Sequence, residues 1–460
     1  MTNARRLLGV VLAGALVLTA ACGGDDEDSD GAAPAADGSD AKTLNVPEDY
    51  DTIQAAVDAA EPGDLVLVAS GTYQEAVSVE TDQLTIRGLD RNEVILDGGF
   101  TMDNGIRVTG ADGVALENMT ARNYTKNGFF WTGVEGYRGS YLTAYRNGDY
   151  GVYAYDSTKG QIEQSYASGS PDAGFYIGQC YPCDAVIDGV ISEYNGLGYS
   201  GTNSGGNLTI VNSTFRFNRA GIVPNSGSYE LCYPGRETTI VGNVVYSNNQ
   251  PDTPAIDVAL LAMGNGILPA GGTGNDIERN LVFDHDRTGI GLVPFPEEDA
   301  SDVPPPPEED TRPCSETVND APADPADIPD LVIWDPRGNK VIDNVVENSR
   351  LADLALGSVD DVSGLGNCFS GNTYATTAPL DLEALAPCEG QGSGGDWTAG
   401  ALDLVGLMTA VQPPSGDYKT SPEPGEQPNM PDADSAPPRP ATDVPARVDL
   451  DAITLPDRPS

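Results

Sequence analysis

Three aromatic residues recur at one interval. Phe130, Tyr153 and Tyr176 stand 23 residues apart, and Tyr155 accompanies them. If a repeat gathers them into one column, their rings form an exposed platform. Sugars settle on such platforms because ring C–H groups meet an aromatic face while rim polar groups take hydroxyls. Exposed aromatics also simply suit strands. Asp149 and Asp156 flank the Tyr153 segment. Paired carboxyl groups near aromatics can serve a glycosidase or a lyase as acid and base. The sole histidine, His285, lies in Asp284-His-Asp-Arg287 and is of a type that titrates near neutrality. It stands four residues before a repeat glycine, where other units carry Tyr124, Tyr194 and Phe217. A packing or turn residue is the blander role for that position.

The chain has seven cysteines. With Cys22 set apart, an even number remains, as in exported disulfide-bonded proteins. Six cysteines allow 15 pairings. One of them joins Cys368 to Cys388 at the end of the coils, closes Cys180-Tyr-Pro-Cys183 on itself, and leaves Cys232 with Cys314. A redox or metal role for the Cys-x-x-Cys needs a helix start or further ligands. Neither is evident.

The elements that must position these residues are legible as a repeat. Glycines 105, 128, 151, 174, 198 and 221 each open a short apolar run, at intervals of 23 or 24 residues. Gly266 and Gly289 continue the register after a double step. A fixed period in the low twenties marks a solenoid. Each unit has short β-branched and aromatic runs split by Gly, Asn, Ser and Asp, such as Thr239-Ile-Val-Gly-Asn243-Val-Val-Tyr246. Such strands are too small to bury a face alone and must stack. Periodic leucines are absent, so a parallel β-helix fits. Side chains alternate along a strand. The column at glycine plus one (Ile106, Phe129, Val152, Phe175, Tyr199, Ile222, Ile267, Ile290) is therefore assigned to the interior. The column at plus two (Arg107, Phe130, Tyr153, Tyr176, Ser200, Val223) points outward. Asn212, Asn243, Asn280, Asn344 and Asn372 recur at turns and predict an internal asparagine ladder.

This pattern resembles the right-handed parallel β-helix, or pectin-lyase-like, superfamily. The resemblance covers roughly residues 44 to 375 and rests on repeat pattern. The opening Val46-Pro-Glu-Asp-Tyr50, Thr52-Ile-Gln-Ala-Ala-Val-Asp-Ala-Ala60 and Gly71-Thr-Tyr-Gln-Glu75 strengthens it. In that superfamily a similar opening forms a capping helix and the first coil. The implied fold is all-β: a single-stranded right-handed parallel β-helix with an N-terminal capping helix. Gly71-x-Tyr-x-Glu75 also resembles the first signature of pectin methylesterases. Their later catalytic signatures are missing, as are those of polygalacturonases and alginate epimerases. A likeness to periplasmic β-helix proteins of copper-site maturation meets one histidine and six methionines, too little to hold copper.

The rest of the chain falls into four pieces. Residues 1–22 read as a lipoprotein signal: Arg5-Arg6, an apolar core Leu7 to Leu18, and Thr19-Ala-Ala-Cys22, with Cys22 as lipid anchor. Residues 23–43 form an acidic tether, too polar to bury a core. The solenoid spans 44–388, interrupted by a Pro- and acid-rich excursion, 294–330, expected to be extended and exposed. Residues 389–460 are a Pro- and Asp-rich tail that either lies along the solenoid or is disordered. Asp51 is expected to cap the first helix, and Leu402, Leu404, Val405 and Leu407 to close the far end.

Net charge is −46. That argues against nucleic acid and against anionic membrane surfaces, so the lipid anchor is the only expected membrane contact. No cofactor is implied. Calcium could bridge acidic glycans to this surface, but no dedicated loop motif is present. Two readings follow for a monomer on the outer face of the cell membrane. The first is recognition of polysaccharide or another cell-envelope ligand without turnover. The second is a carbohydrate-active enzyme, lyase or hydrolase, on the outer groove near residues 128–180.

Overall fold

Glycine-marked coils stack into three parallel sheets. A computed structural model describes residues 41–307, 311–359 and 362–459. The signal segment, Cys22 and nearly all of the tether lie outside the described residues. Among these residues the sheets hold 12, 10 and 7 strands, and a 3-stranded sheet continues the last of them. Register is kept from coil to coil: Phe130 pairs with Arg107 and with Tyr153, and Tyr153 with Tyr176. Every member of the plus-one column, from Ile106 to Ile290, is fully buried. These side chains form one continuous core along the axis, because no single coil can bury its own apolar face.

Both ends are closed. Helix α1 (Ile53–Ala59) buries Ile53, Ala56 and Val57 against the first coil. Its cap is Thr52, not Asp51: the Thr52 hydroxyl accepts from Ala55 N at 3.1 Å. The Glu75 carboxylate takes the N–H groups of Ile53 and Gln54 at 3.1 and 3.0 Å. That gives Gly71-x-Tyr-x-Glu75 a structural role, since the first turn of a helix leaves amides without partners. At the far end Leu382 and Leu385 close the core. Leu402 packs aside on Ala352, Ala355 and Ala378, and Val405 is 70 % exposed. The residues around 404 therefore do not supply the plug.

The interior ladder runs Ser213, Asn243, Asn280, Asn344, Asn372. Each backbone N–H donates to the next asparagine Oδ1 at 2.9–3.1 Å. Asn212 is not in it; its amide donates outward to Asp188 at 3.0 Å. A parallel ladder runs Ser170, Asn195, Asn218, Asn248 and ends on His285.

The tail after residue 410 lies along the solenoid, held by arginines of the coils. Arg219 donates to the carbonyls of Pro413 and Pro414, Arg146 to Ser421, Arg91 to Pro428 and Arg87 to Ala436 and Pro437. The chain then turns back, with Ala446 N on Gln161 and the Arg279 guanidinium on the Leu450 carbonyl. Proline-rich chain has carbonyls without matching N–H groups, so guanidinium donors suit it. Three disulfides are present: Cys180–Cys183, Cys232–Cys314 and Cys368–Cys388. No helix among the described residues is long and apolar enough to cross a membrane.

Candidate functional site

The plus-two column stands on the outer face of the seven-stranded sheet. It runs Arg107, Phe130, Tyr153, Tyr176, Ser200, Val223 on neighbouring strands. Direction is as expected, but exposure is not uniform. Phe130, Tyr153 and Tyr155 are half-buried. Tyr176 is 1 % exposed, so it is the floor of the site and no part of an open platform. The rings also use their faces on one another. Tyr153 lies 4.7 Å from Phe130 and 4.3 Å from Tyr150, nearly parallel to both. The Arg107 guanidinium sits 5.4 Å from the Phe130 ring centre. Stacking along the axis leaves mainly ring edges and phenol hydroxyls for a ligand. The column is therefore a stiff wall that presents polar groups.

Carboxyl groups gather at that wall. Asp149 and Asp172 both stand two residues before a repeat glycine, on successive coils, and the Asp172 N–H donates to the Asp149 carbonyl at 3.2 Å. Burial, then the nearby Asp149 carboxylate, push Asp172 up to about 7, although its bond with Tyr150 opposes this. Burial raises Asp149 as well, with Lys126 opposing. On the other side Glu230 accepts from the Tyr176 hydroxyl at 2.6 and 2.8 Å. Burial pushes Glu230 up to about 7, and Asp172 adds to this while the Tyr176 bond opposes it. Two carboxyl groups that are half-protonated near neutrality thus face one set of tyrosines. Perturbed acids of this kind collect at functional sites.

Glu230 belongs to a loop, residues 226–235, that folds back over the sheet. The Tyr229 hydroxyl meets Thr202 and Asn225. The Asn203 amide donates to the Gly227 and Glu230 carbonyls at 2.6 and 2.7 Å. Gln179 Oε1 accepts from the Tyr155 hydroxyl at 2.7 Å and from Leu231 N at 3.0 Å. The buried Glu297 carboxylate takes Ser228 N, the Ser228 hydroxyl and, at 2.7 Å, Trp334 Nε1. Glu297 and Trp334 lie on the antiparallel pair Phe295–Glu298 with Leu331–Trp334, the base of the long excursion. That base is packed, contrary to the expectation of an exposed loop throughout. Cys232–Cys314 ties the loop to the excursion a second time.

Two expected residues fall elsewhere. Asp156 closes the far end of the Tyr150–Tyr155 strand from Asp149. Seven residues of extended chain separate them by roughly 20 Å, so they are not a catalytic pair. Asp156 is raised by burial against an opposing Gln179 bond, and it borders a cleft of about 560 Å³ with Lys159, Gln179 and Tyr181. His285 is buried inside the coil wall, with Nε2 3.3 Å from the Asn248 amide. Burial pushes it down to about 3, so it stays neutral and takes an asparagine's place in the second ladder. Asp172, Glu230 and Tyr150 were missed from sequence. Asp172 shares its repeat position with Asp149, which is a usable signal; Glu230 lies in the double-length step and carries none. Among the described residues no three His, Cys, Asp or Glu side chains group as metal ligands.

Residues 102–293 match the family model described as right handed beta helix region. No curated protein matches the chain in sequence. Among solved structures, the A-module of a mannuronan C-5 epimerase from Azotobacter vinelandii is 15 % identical, over 74 % of this chain and 93 % of that one, with a TM-score of 0.42. An alginate lyase from Paenibacillus sp. FPU-7 is 14 % identical, over 74 % and 96 %, at 0.42. A pectate lyase is 14 % identical, over 83 % and 84 %, at 0.42. By its coils and by this match, the chain folds as a right-handed parallel β-helix.

Proposed function

We propose that the chain cleaves glycosidic bonds of a neutral polysaccharide at the wall between Phe130 and Glu230. One observation carries this: Asp172 and Asp149 stand on successive coils beside stacked tyrosines, and Asp172 is pushed up to about 7. Neighbouring carboxyl groups with separated proton affinities divide the work of acid and base. Asp172 gives its proton to the glycosidic oxygen as the C–O bond breaks. Asp149, which Lys126 helps to keep ionised, attacks the anomeric carbon to form a glycosyl ester, and water then breaks that ester, giving its proton back to Asp172. Glu230, held by Tyr176, binds ring hydroxyls. A polyanionic chain would meet these acids and a net charge of −46, hence a neutral glycan.

The test is incubation of the full chain with a panel of neutral glycans, with and without Ca²⁺, recording binding and new reducing ends. Product that disappears in Asp172→Asn supports the reading. Neither binding nor product on any glycan removes it. A second reading, retention without turnover, is favoured by the Tyr176–Glu230 contact, which already engages both carboxylate oxygens. Binding without product would select it.

The proposal includes export and a lipid anchor at Cys22, and the three disulfides suit an oxidising compartment. Cys22→Ser should move the protein from the membrane fraction to the soluble one. Unchanged retention would remove the anchor.

A further inference from the structure

Open and covered stretches of the outward column meet at the carboxyl groups. Arg107 is exposed, and Phe130 and Tyr153 are half-buried. Tyr176, Ser200 and Val223, which point the same way, are 1 %, 4 % and 1 % exposed. Two elements cover them. Helix α2 (Asp257–Ala262) packs Ala259 and Ala262 over Ala173, Leu197, Ala220 and Val223. The 226–235 loop lies over the other edge through Tyr229 and Glu230. The flank toward Asp156 is bridged by Gln179, which joins Tyr155 to Leu231. A polymer lying along the axis from Arg107 therefore meets a wall just past Tyr153.

From this we infer that the site takes the end of a glycan chain and not its interior. The inference rests on the glycan reading above and narrows it. Entry is along the open coils, Arg107 to Tyr153. The terminal sugar stops over Tyr153, against the edge formed by Tyr176, Tyr229 and Glu230, beside Asp172. A pyranose unit is about as long as one coil is high, so only the last units can stand alongside the carboxyl groups. The walls are fixed by tertiary bonds: the loop is held by Glu297 and by Cys232–Cys314, and the helix by an apolar face.

The experiment uses the full chain with hexasaccharides of β-glucan, mannan and xylan in two forms: free at both ends, and blocked at both ends with bulky aromatic groups. Free-ended probes should bind at least about tenfold more tightly, roughly 1.4 kcal/mol. The first products should be single sugars or disaccharides. Equal affinity for both forms, or long internal fragments as first products, would overturn the inference and leave glycan binding intact. Failure of every probe would instead remove the glycan reading and this inference with it. Tyr229→Gly opens the end wall while leaving Glu230 in place. With its disulfides and unfolding temperature retained, it should bring blocked and free probes to within about twofold of each other, a few tenths of a kcal/mol. A folded Tyr229→Gly that still rejects blocked probes would place the barrier elsewhere and sink the assignment.

Discussion

Two stretches of one sheet carry the same register and have opposite fates. From Arg107 to Tyr153 the outward column meets solvent. From Tyr176 to Val223 it is buried. Strand alternation treats the two alike. The difference comes from chain inserted into the repeat: the double step between Gly221 and Gly266, which holds the 226–235 loop and α2, and the excursion whose base supports that loop. Burial on one side and access on the other create the border where Asp172 and Glu230 are held near neutrality. A uniform solenoid would leave its carboxyl groups solvated and ordinary.

The largest expected effect breaks that border chemically. Asp172→Asn should lower the rate of product release by about 10²–10⁴-fold, the scale of a lost general acid, with probe binding little changed. Asp156→Asn, at the far end of the Tyr150–Tyr155 strand, should leave the rate within about twofold, well under the tenfold that 1.4 kcal/mol represents. Equal losses in the two variants would erase the distinction between them.

Next comes the support of the covered stretch. Cys232→Ser with Cys314→Ser should lower stability by about 2–4 kcal/mol, as for removal of a typical native disulfide. It should also raise access of blocked oligosaccharides. Thermal unfolding and probe binding read the two effects. Loss of stability without change in access would mean that the hydrogen bonds from Glu297, Asn203 and Gln179 hold the loop without the disulfide.

A smaller effect concerns pH. Asp172 and Glu230 hold protons more tightly in the folded chain than carboxyl groups do when unfolded. Their contribution to stability is therefore fully present below the ordinary carboxylate range and is lost as pH rises through about 7. The unfolding temperature should decline across that window, and Glu230→Gln should flatten the decline. The amide keeps an acceptor for the Tyr176 hydroxyl. Product release that needs protonated Asp172 should fall over the same range.

The smallest effect is at His285. It is buried and held at about 3, so it is neutral throughout the working range. His285→Asn should leave product release within about twofold, again under the tenfold of 1.4 kcal/mol, and merely extend the Asn248 ladder. A large loss would return histidine chemistry to consideration.

The solenoid was legible because its information is local and repeated. Glycine-to-glycine spacing set the register, and alternation from each glycine sorted Ile106, Phe129, Val152 and Phe175 inward, as found. The helix at Thr52 could be read from apolar spacing, although Thr52 and not Asp51 caps it. The ladder was read except at one place: Asn243, Asn280, Asn344 and Asn372 lie in it, whereas Asn212 turns outward. The geometry of the candidate site was legible in part. Asp149, Phe130 and Tyr153 are at the wall, but the wall's acids also include Asp172 and Glu230, and Tyr176 lies beneath.

By itself, then, the sequence determined which side chains point in and which point out, since that depends on a two-residue alternation anchored by a glycine every coil. Only the tertiary structure decided which outward residues stay open. That depends on contacts between residues far apart in the chain, such as Ser228 with Glu297 and Tyr176 with Glu230, and no local period encodes them. Proton affinity follows coverage, because desolvation acts on a carboxyl group only once another segment has excluded the water.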